Sequence, residues 1–313
     1  MRDDRSLHDD PRNLDLEAAI AADPDDLAAL QVYADWLLER RDPRCELIAL
    51  QCAGAPQVAI DELVDRHATY LLGPLARYRT QLTWGIGYIR SFDLASCHVK
   101  KSAVVPLLQH PSLRFLTELK LSGTRGLEAV PPSLRALELG DAAGADLTSV
   151  APRLTKLTVH GDWTSDDLEF PFVETAHFES FGQGTGHRLA QARWPRLTSL
   201  TLGRCGTAPI EQLLARLPGL RTLRLELVYF VDRLCAQLAA SPFTPHLTTL
   251  AFWRELSDRG ASALLDGRFA SLATLELIET QVSADGIELL RASGFPVELV
   301  HWSRRRDWMI VDG

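Results

Sequence analysis

Apolar residues recur along most of this chain in one short arrangement, L-x-x-L-x-L, with polar residues alternating between the last two apolar positions. Aligned on it are Ile89/Phe92/Leu94, Leu116/Leu119/Leu121, Leu134/Leu137/Leu139, Leu154/Leu157/Val159 and Val173/Ala176/Phe178. The series continues with Leu197/Leu200/Leu202, Leu220/Leu223/Leu225, Leu247/Leu250/Phe252 and Leu272/Leu275/Leu277. A worn tenth copy is Phe295-Pro296-Val297-Glu298-Leu299. The first positions are separated by 27, 18, 20, 19, 24, 23, 27 and 25 residues. In an extended chain successive side chains alternate, so each copy predicts a short strand with its fourth and sixth residues inward. The third, fifth and seventh residues then point outward. One such strand cannot bury its apolar face alone, whereas stacked copies bury a continuous core.

The spacing predicts what joins the strands. The longer copies have room for amphipathic helices at Ala208 to Arg216, Val231 to Ala240, Ser257 to Leu265 and Ser283 to Ala292, the last two opening on a serine N-cap. Copies of 18–20 residues between Leu116 and Val173 are too short for a full helix, so extended or 3₁₀ segments are expected. Pro131-Pro132 and Pro171 fit that irregular path. The ninth position of each copy falls in a turn against unsatisfied backbone groups. It holds Cys97, Thr124, Ala142, Asp162, Phe181, Cys205, Val228, Glu255 and Thr280, which gives Cys97 and Cys205 a structural role.

Before the strands the period changes to that of helices. Residues 1–12 are charged, with little to bury, and read as a disordered tail. Residues 13–80 read as a small helical module. Its first helix is capped by Asn13 or Asp15 and stopped at Asp23-Pro24-Asp25. Its second runs from Asp25 or Asp26 to about Arg41, its third from Arg44 to Gln51 and its fourth from about Gln57 to Leu72. Residues 84–300 carry the strands. In 301–313, Trp302, Trp308, Met309 and Ile310 mix with Arg304, Arg305 and Arg306, a composition expected of a cap over the last copy.

Two resemblances follow from these residues. The repeated L-x-x-L-x-L with LSDRGASALL and VSADGIELL resembles bacterial leucine-rich-repeat proteins of the ribonuclease-inhibitor-like class. That implies an α/β solenoid with a parallel sheet on the concave face and helices or irregular segments outside. The stretch from Asp23 to Gln51 resembles the small repeat-companion domain found on the N-terminal side of bacterial repeat arrays. The matching residues are Asp23-Pro24, Tyr33-Ala34-Asp35-Trp36-Leu37, Glu39-Arg40, Asp42-Pro43-Arg44 and Glu46. Trp36 is expected in the core, and Asp35 at a turn or cap. The resemblance departs at Arg41, where that family usually ends the helix with a left-handed glycine.

Composition narrows the chemistry. A formal charge of −8 argues against broad binding to nucleic acid or anionic membranes. The five cysteines are widely spaced and form no C-x-x-C pair. Their number and the absence of a secretory h-region or an apolar run of membrane length point to the reducing cytoplasm. There is no nucleotide loop, zinc-protease motif or nucleophile elbow, and no enzyme or cofactor is expected. The Gly-rich piece Gly182 to His187 lacks a following Lys-Ser/Thr and reads as a loop insertion. His160, His177 and His187 lack the spacing of a metal set.

What the pattern supplies is a surface. The outward fifth positions include His177, Arg224 and Glu276, and the seventh include His160, Glu179, Glu226, Trp253 and Ile278. Trp253 beside Ile278 exposes more apolar area than a solvated face needs. These eight residues are the expected contact site for a protein partner on the concave face. The expected role is a non-catalytic scaffold or recognition subunit; the alternative is an inhibitor or immunity protein that blocks a basic enzyme or toxin.

Overall fold

The computed structural model describes residues 11–163, 168–179, 183–204, 213, 214 and 216–300. The tail through residue 10, the segment 301–313, Phe181, Cys205 and most of the helix expected from Ala208 lie outside the described residues. The chain forms two compact units, residues 1–140 and 141–313.

The first unit begins with helices α1 (Leu14–Ala22), α2 (Leu27–Glu39), α3 (Arg44–Cys52), α4 (Gln57–Arg66) and α5 (Ala68–Leu71). Two caps are settled by hydrogen bonds. Asn13 accepts from Leu16 N, and Asp26 accepts from Ala28 N and Ala29 N. The single fourth helix expected from the apolar pattern is broken at His67, whose φ of −110° and ψ of 21° leave the helical region.

At the end of α2, Arg41 is left-handed with φ 57°. Its N–H donates to Leu38 O at 2.9 Å, and Asp42 N to Leu37 O at 3.1 Å, the paired bonds of a Schellman cap. The chain then makes 3₁₀ turns over Gly73–Gln81 and enters β1 (Leu82–Trp84). This strand pairs antiparallel with β2 (Ile89–Asp93), a hairpin that the repeat pattern does not announce. Gly87 makes it possible. Its φ is 74°, its N–H donates to Gln51 Oε1 at 2.6 Å, and a Cβ there would lie 2.3 Å from Ile48 Cγ1. After α6 (Val104–Leu108), β3 (Glu118–Leu121) and β4 (Ala136–Leu139) add in parallel, with the 3₁₀ turn Leu127–Ala129 between them.

The helical core explains the Y-A-D-W-L and D-P-R segments. Tyr33 is fully buried, stacked on Trp36 and packed near Tyr88 and Phe115. Its hydroxyl donates to Glu17 at 3.0 Å and accepts from Arg114 at 2.7 Å. Burial pushes its pKa up to about 12. Asp42 and Arg44, each 1% exposed, form a buried ion pair at 2.9 Å. Asp42 also accepts from Arg44 N and from the Tyr70 hydroxyl. Trp36 is only half-buried, under the Arg40 guanidinium at 4.0 Å, rather than in the core. Asp35 is exposed in mid-helix and caps nothing, since its side chain sits on the face of α2 away from Leu30, Tyr33 and Leu37.

The described residues of the second unit form seven strands: β5 (Lys156–His160), β6 (Thr175–Glu179), β7 (Ser199–Gly203), β8 (Thr222–Glu226), β9 (Thr249–Trp253), β10 (Thr274–Ile278) and β11 (Val297–Val300). Each is parallel to the next and in register. The aligned apolar positions of the nine full copies are buried except Leu272, whereas in the worn tenth copy Val297 is half-buried and Leu299 exposed. The short connector before β5 contains the expected 3₁₀ turn, Ala151–Arg153. Helices α7 (Gln183–Gln191), α8 (Val231–Ala240), α9 (Asp258–Leu264) and α10 (Ala284–Ala292) follow β6, β8, β9 and β10.

Helix α7 corrects the loop expected at Gly182 to His187. Thr185 is buried, where its hydroxyl accepts from Trp163 N at 2.9 Å and bonds Asp162 Oδ1 at 3.0 Å. With Leu189 and Ala190 also buried, one face is anchored, and that offsets the poor helix propensity of the glycines. An aromatic cluster of Trp163, Phe170, Phe178 and Trp194 fills the core beside it, with Phe170 stacked on Trp194 at 4.3 Å.

Candidate functional site

The site expected from the sequence lies wholly in residues 141–300, on the strand face opposite the buried leucines. Register defines two rows. One runs Thr158, His177, Thr201, Arg224, Ala251, Glu276, and the other His160, Glu179, Gly203, Glu226, Trp253, Ile278. Residues up to 118 positions apart in the chain thereby share a strip, with about 4.8 Å between strands.

Ion pairs lace this strip together. His160 Nδ1 lies 2.8 Å from Glu179 Oε2, and Arg204 approaches the other oxygen at 3.5 Å. Arg224 reaches Glu276 at 3.4 Å, although these residues stand two strands apart. Ala251, between them in the row, has no side chain beyond Cβ to obstruct the guanidinium, and it is 2% exposed. At the end of the strip Arg254 pairs with Glu279 at 3.2 Å and lies 5.8 Å from the Trp253 ring.

His160, His177, Glu179, Arg224, Glu226 and Trp253 are half-buried side chains on this face. Two members differ from expectation. Ile278 is 1% exposed and Glu276 6%, because β11 lies on one side of β10 and Trp253 with the Arg224 bridge on the other. The apolar accent of the strip is therefore Trp253 without Ile278. The rings of His160 and His177 stand edge to face, 5.9 Å between centroids. His187 is elsewhere, on α7 beside Gln191. Among the described residues no three His, Cys, Asp or Glu side chains are grouped to hold a metal.

Arg204, Arg254 and Glu279 were not singled out by the repeat pattern, yet they share a periodic origin. The residue after the last strand position has positive φ at Gly161, Arg204, Leu227, Arg254 and Glu279. In four of these the N–H donates sideways to the last carbonyl of the next strand: Gly161 to Glu179, Arg204 to Glu226, Leu227 to Trp253 and Arg254 to Ile278, at 2.8–3.2 Å. The left-handed turn ends these five strands and sets the eighth side chain at the edge of the strip. Tyr229 and Phe230, 57% and 78% exposed, follow the turn after β8.

Cys97 and Cys235 sit in settings that suit packing rather than reactivity. Cys97 Sγ donates to Asp93 O at 3.2 Å, and burial pushes its pKa up. Cys235 is fully buried, and desolvation raises its pKa strongly, with Asp232 adding to the effect. A raised pKa removes the thiolate that nucleophilic chemistry needs. Among the described residues no helix is long and apolar enough to cross a membrane.

No family model matches the chain, and no curated protein matches it. Among solved structures, a protein of Bacteroides fragilis determined by structural genomics is similar with a TM-score of 0.51 and 16% identity. The similarity covers 64% of this chain and 72% of that one. It is a likeness of fold, a repeating α/β arrangement around a mostly parallel sheet.

Proposed function

We propose that the strands from Ile89 to Leu299 are leucine-rich repeats of the ribonuclease-inhibitor-like class, and that the protein is a non-catalytic scaffold or recognition subunit. Its partner is a protein, held on the strip that includes His160, His177, Glu179, Arg224, Glu226 and Trp253. The observation that carries this is the register of β5 to β10, which lines these side chains in two rows beside one half-exposed tryptophan. Tryptophan and arginine with a polar surround suit a protein interface better than a phosphate backbone.

The ion pairs shape the expected thermodynamics. Arg204, Arg224 and Arg254 are each matched by a glutamate of the same unit, so the strip carries little uncompensated charge. Association should depend weakly on salt, and affinity should rest on packing.

Affinity capture with mass spectrometry would identify the partner, and titration calorimetry would then compare wild type with Trp253→Ala. A loss of about 2 kcal/mol, roughly thirtyfold in Kd, is expected for a hot spot. Unchanged affinity in the folded variant would refute the site. The acidic net charge of −8 also favours a second possibility, an inhibitor or immunity protein for a basic enzyme. A nuclease or toxin as the captured partner, with steeply salt-dependent binding, would decide for it.

A further inference from the structure

The helices of the last units are joined at their N-terminal ends by a repeated hydrogen-bonded device that neither the repeat pattern nor the proposed binding strip requires. Asp232, in the first turn of α8, accepts from Ser257 N at 2.9 Å with one carboxylate oxygen and from the Ser257 hydroxyl with the other. Ser257 is the N-cap of α9, and its oxygen accepts from Arg259 N at 3.2 Å. The next residue repeats the move. Asp258, at the start of α9, accepts from Ser283 N at 2.8 Å, and Ser283 caps α10 by accepting from Gly286 N at 3.1 Å.

Each carboxylate occupies space that a side chain on the following helix would need. A Cβ on Gly260 would lie 2.3 Å from Asp232 Oδ1, and one on Gly286 would lie 2.2 Å from Asp258 Oδ1. Neither glycine has positive φ, so neither is demanded by backbone conformation. At each the nearest obstacle is the aspartate of the preceding unit, with Leu256 Cδ1 at 2.6 Å from the Gly260 position and Val282 Cγ1 at 2.9 Å from the Gly286 position as further contacts. This accounts for the S-D-R-G and S-A-D-G sequences, in which serine and glycine stand three residues apart at consecutive helix starts.

We infer that Asp232–Ser257–Gly260 and Asp258–Ser283–Gly286 are clasps that couple consecutive units, so that α8, α9 and α10 open as one cooperative block. In a repeat array each unit contacts mainly its neighbours, and cooperativity depends on the strength of those interfaces. A clasp places one carboxylate in two units at once: it satisfies an orphan N–H at the start of the next helix while remaining part of its own. Arg224, Trp253 and Glu276 sit on the strands that lead into these three helices, so the clasps also hold the spacing of that face.

Hydrogen exchange read by mass spectrometry on the full chain tests this, with Asp258→Ala, Gly286→Ala and the double variant. Asp258→Ala should speed exchange about tenfold, the size of a lost cap, at α10 and also at α9 and α8. Acceleration confined to the residues around Ser283 would overturn the coupling. Gly286→Ala should reproduce the same pattern by displacing the carboxylate. In the double variant the clashing atoms of Asp258 are gone and the looser contact with Val282 Cγ1 at 2.9 Å remains, so the added effect of Gly286→Ala should shrink. Additive effects in the double variant would overturn the clasp. If Gly286→Ala fails to fold, the Asp232→Ala variant supplies the same three-helix reading from the other side.

Discussion

Truncating Asp42 to alanine should unfold much of the first unit's stability at a single position. The carboxylate is 1% exposed and faces three donors: the Arg44 guanidinium and backbone N–H, each at 2.9 Å, and the Tyr70 hydroxyl at 2.7 Å. Arg44, also 1% exposed, lies 5.0 and 5.5 Å from the rings of Tyr70 and Tyr88. Removing the acid leaves a guanidinium out of water without its counter-charge. Breaking one partner out of a buried pair costs about 3–5 kcal/mol, against roughly 5–15 kcal/mol for a whole domain. Removing both charges costs less, so Asp42→Leu with Arg44→Met should recover part of the loss. Urea melts followed by circular dichroism measure both variants, and the single variant should also lower Tm by roughly 10 °C. A single variant within about 1 kcal/mol of wild type would refute the pair as a determinant of the helical core.

Acid should destabilise the same unit in two stages. Burial, with Arg44 nearby, lowers the His110 pKa to about 4, so its contribution is present above the unfolded value near 6.5 and is lost as pH falls toward 4. Glu17 follows. Burial alone would raise its pKa, but the Arg12 hydrogen bond and the Arg114 charge hold it below 4.5, so its contribution disappears as pH falls through that lower value. Urea midpoints measured from pH 7 to 3 should fall throughout, and Glu17→Gln should flatten only the lower part. Gly87→Ala should cost about 2–4 kcal/mol, combining a left-handed backbone with the clash on Ile48; a midpoint equal to wild type would contradict the hairpin geometry. Arg41→Gly should raise stability by about 0.5–1 kcal/mol, because glycine adopts the left-handed cap without strain. A lower midpoint would show that contacts of the arginine outweigh its backbone cost.

Much of this architecture was legible in one dimension. The L-x-x-L-x-L period marks the buried positions correctly from Ile89 to Leu277, with Leu272 the exception, because alternation along a strand is a local property of the backbone. Asn13, Asp26, Ser257 and Ser283 cap helices as their side chains suggest, since a cap bonds an N–H only two or three residues away. Arg41 takes the left-handed position at the end of α2 where the resemblance to the repeat-companion domain leads one to expect glycine. Other features depend on which strand lies beside which. The Arg224–Glu276 bridge spans 52 residues, and it forms because β8, β9 and β10 register Arg224, Ala251 and Glu276 in one row. Ile278 is outward by period yet buried by its neighbours. Helix α7 forms where glycines argue for a loop, because Thr185 finds Asp162 and Trp163 across 22 to 23 residues. The clasps at Gly260 and Gly286 are meaningless within their own helices and intelligible only beside the preceding one. Local propensity chose the elements; packing between distant segments determined which side chains stayed exposed on the sheet face.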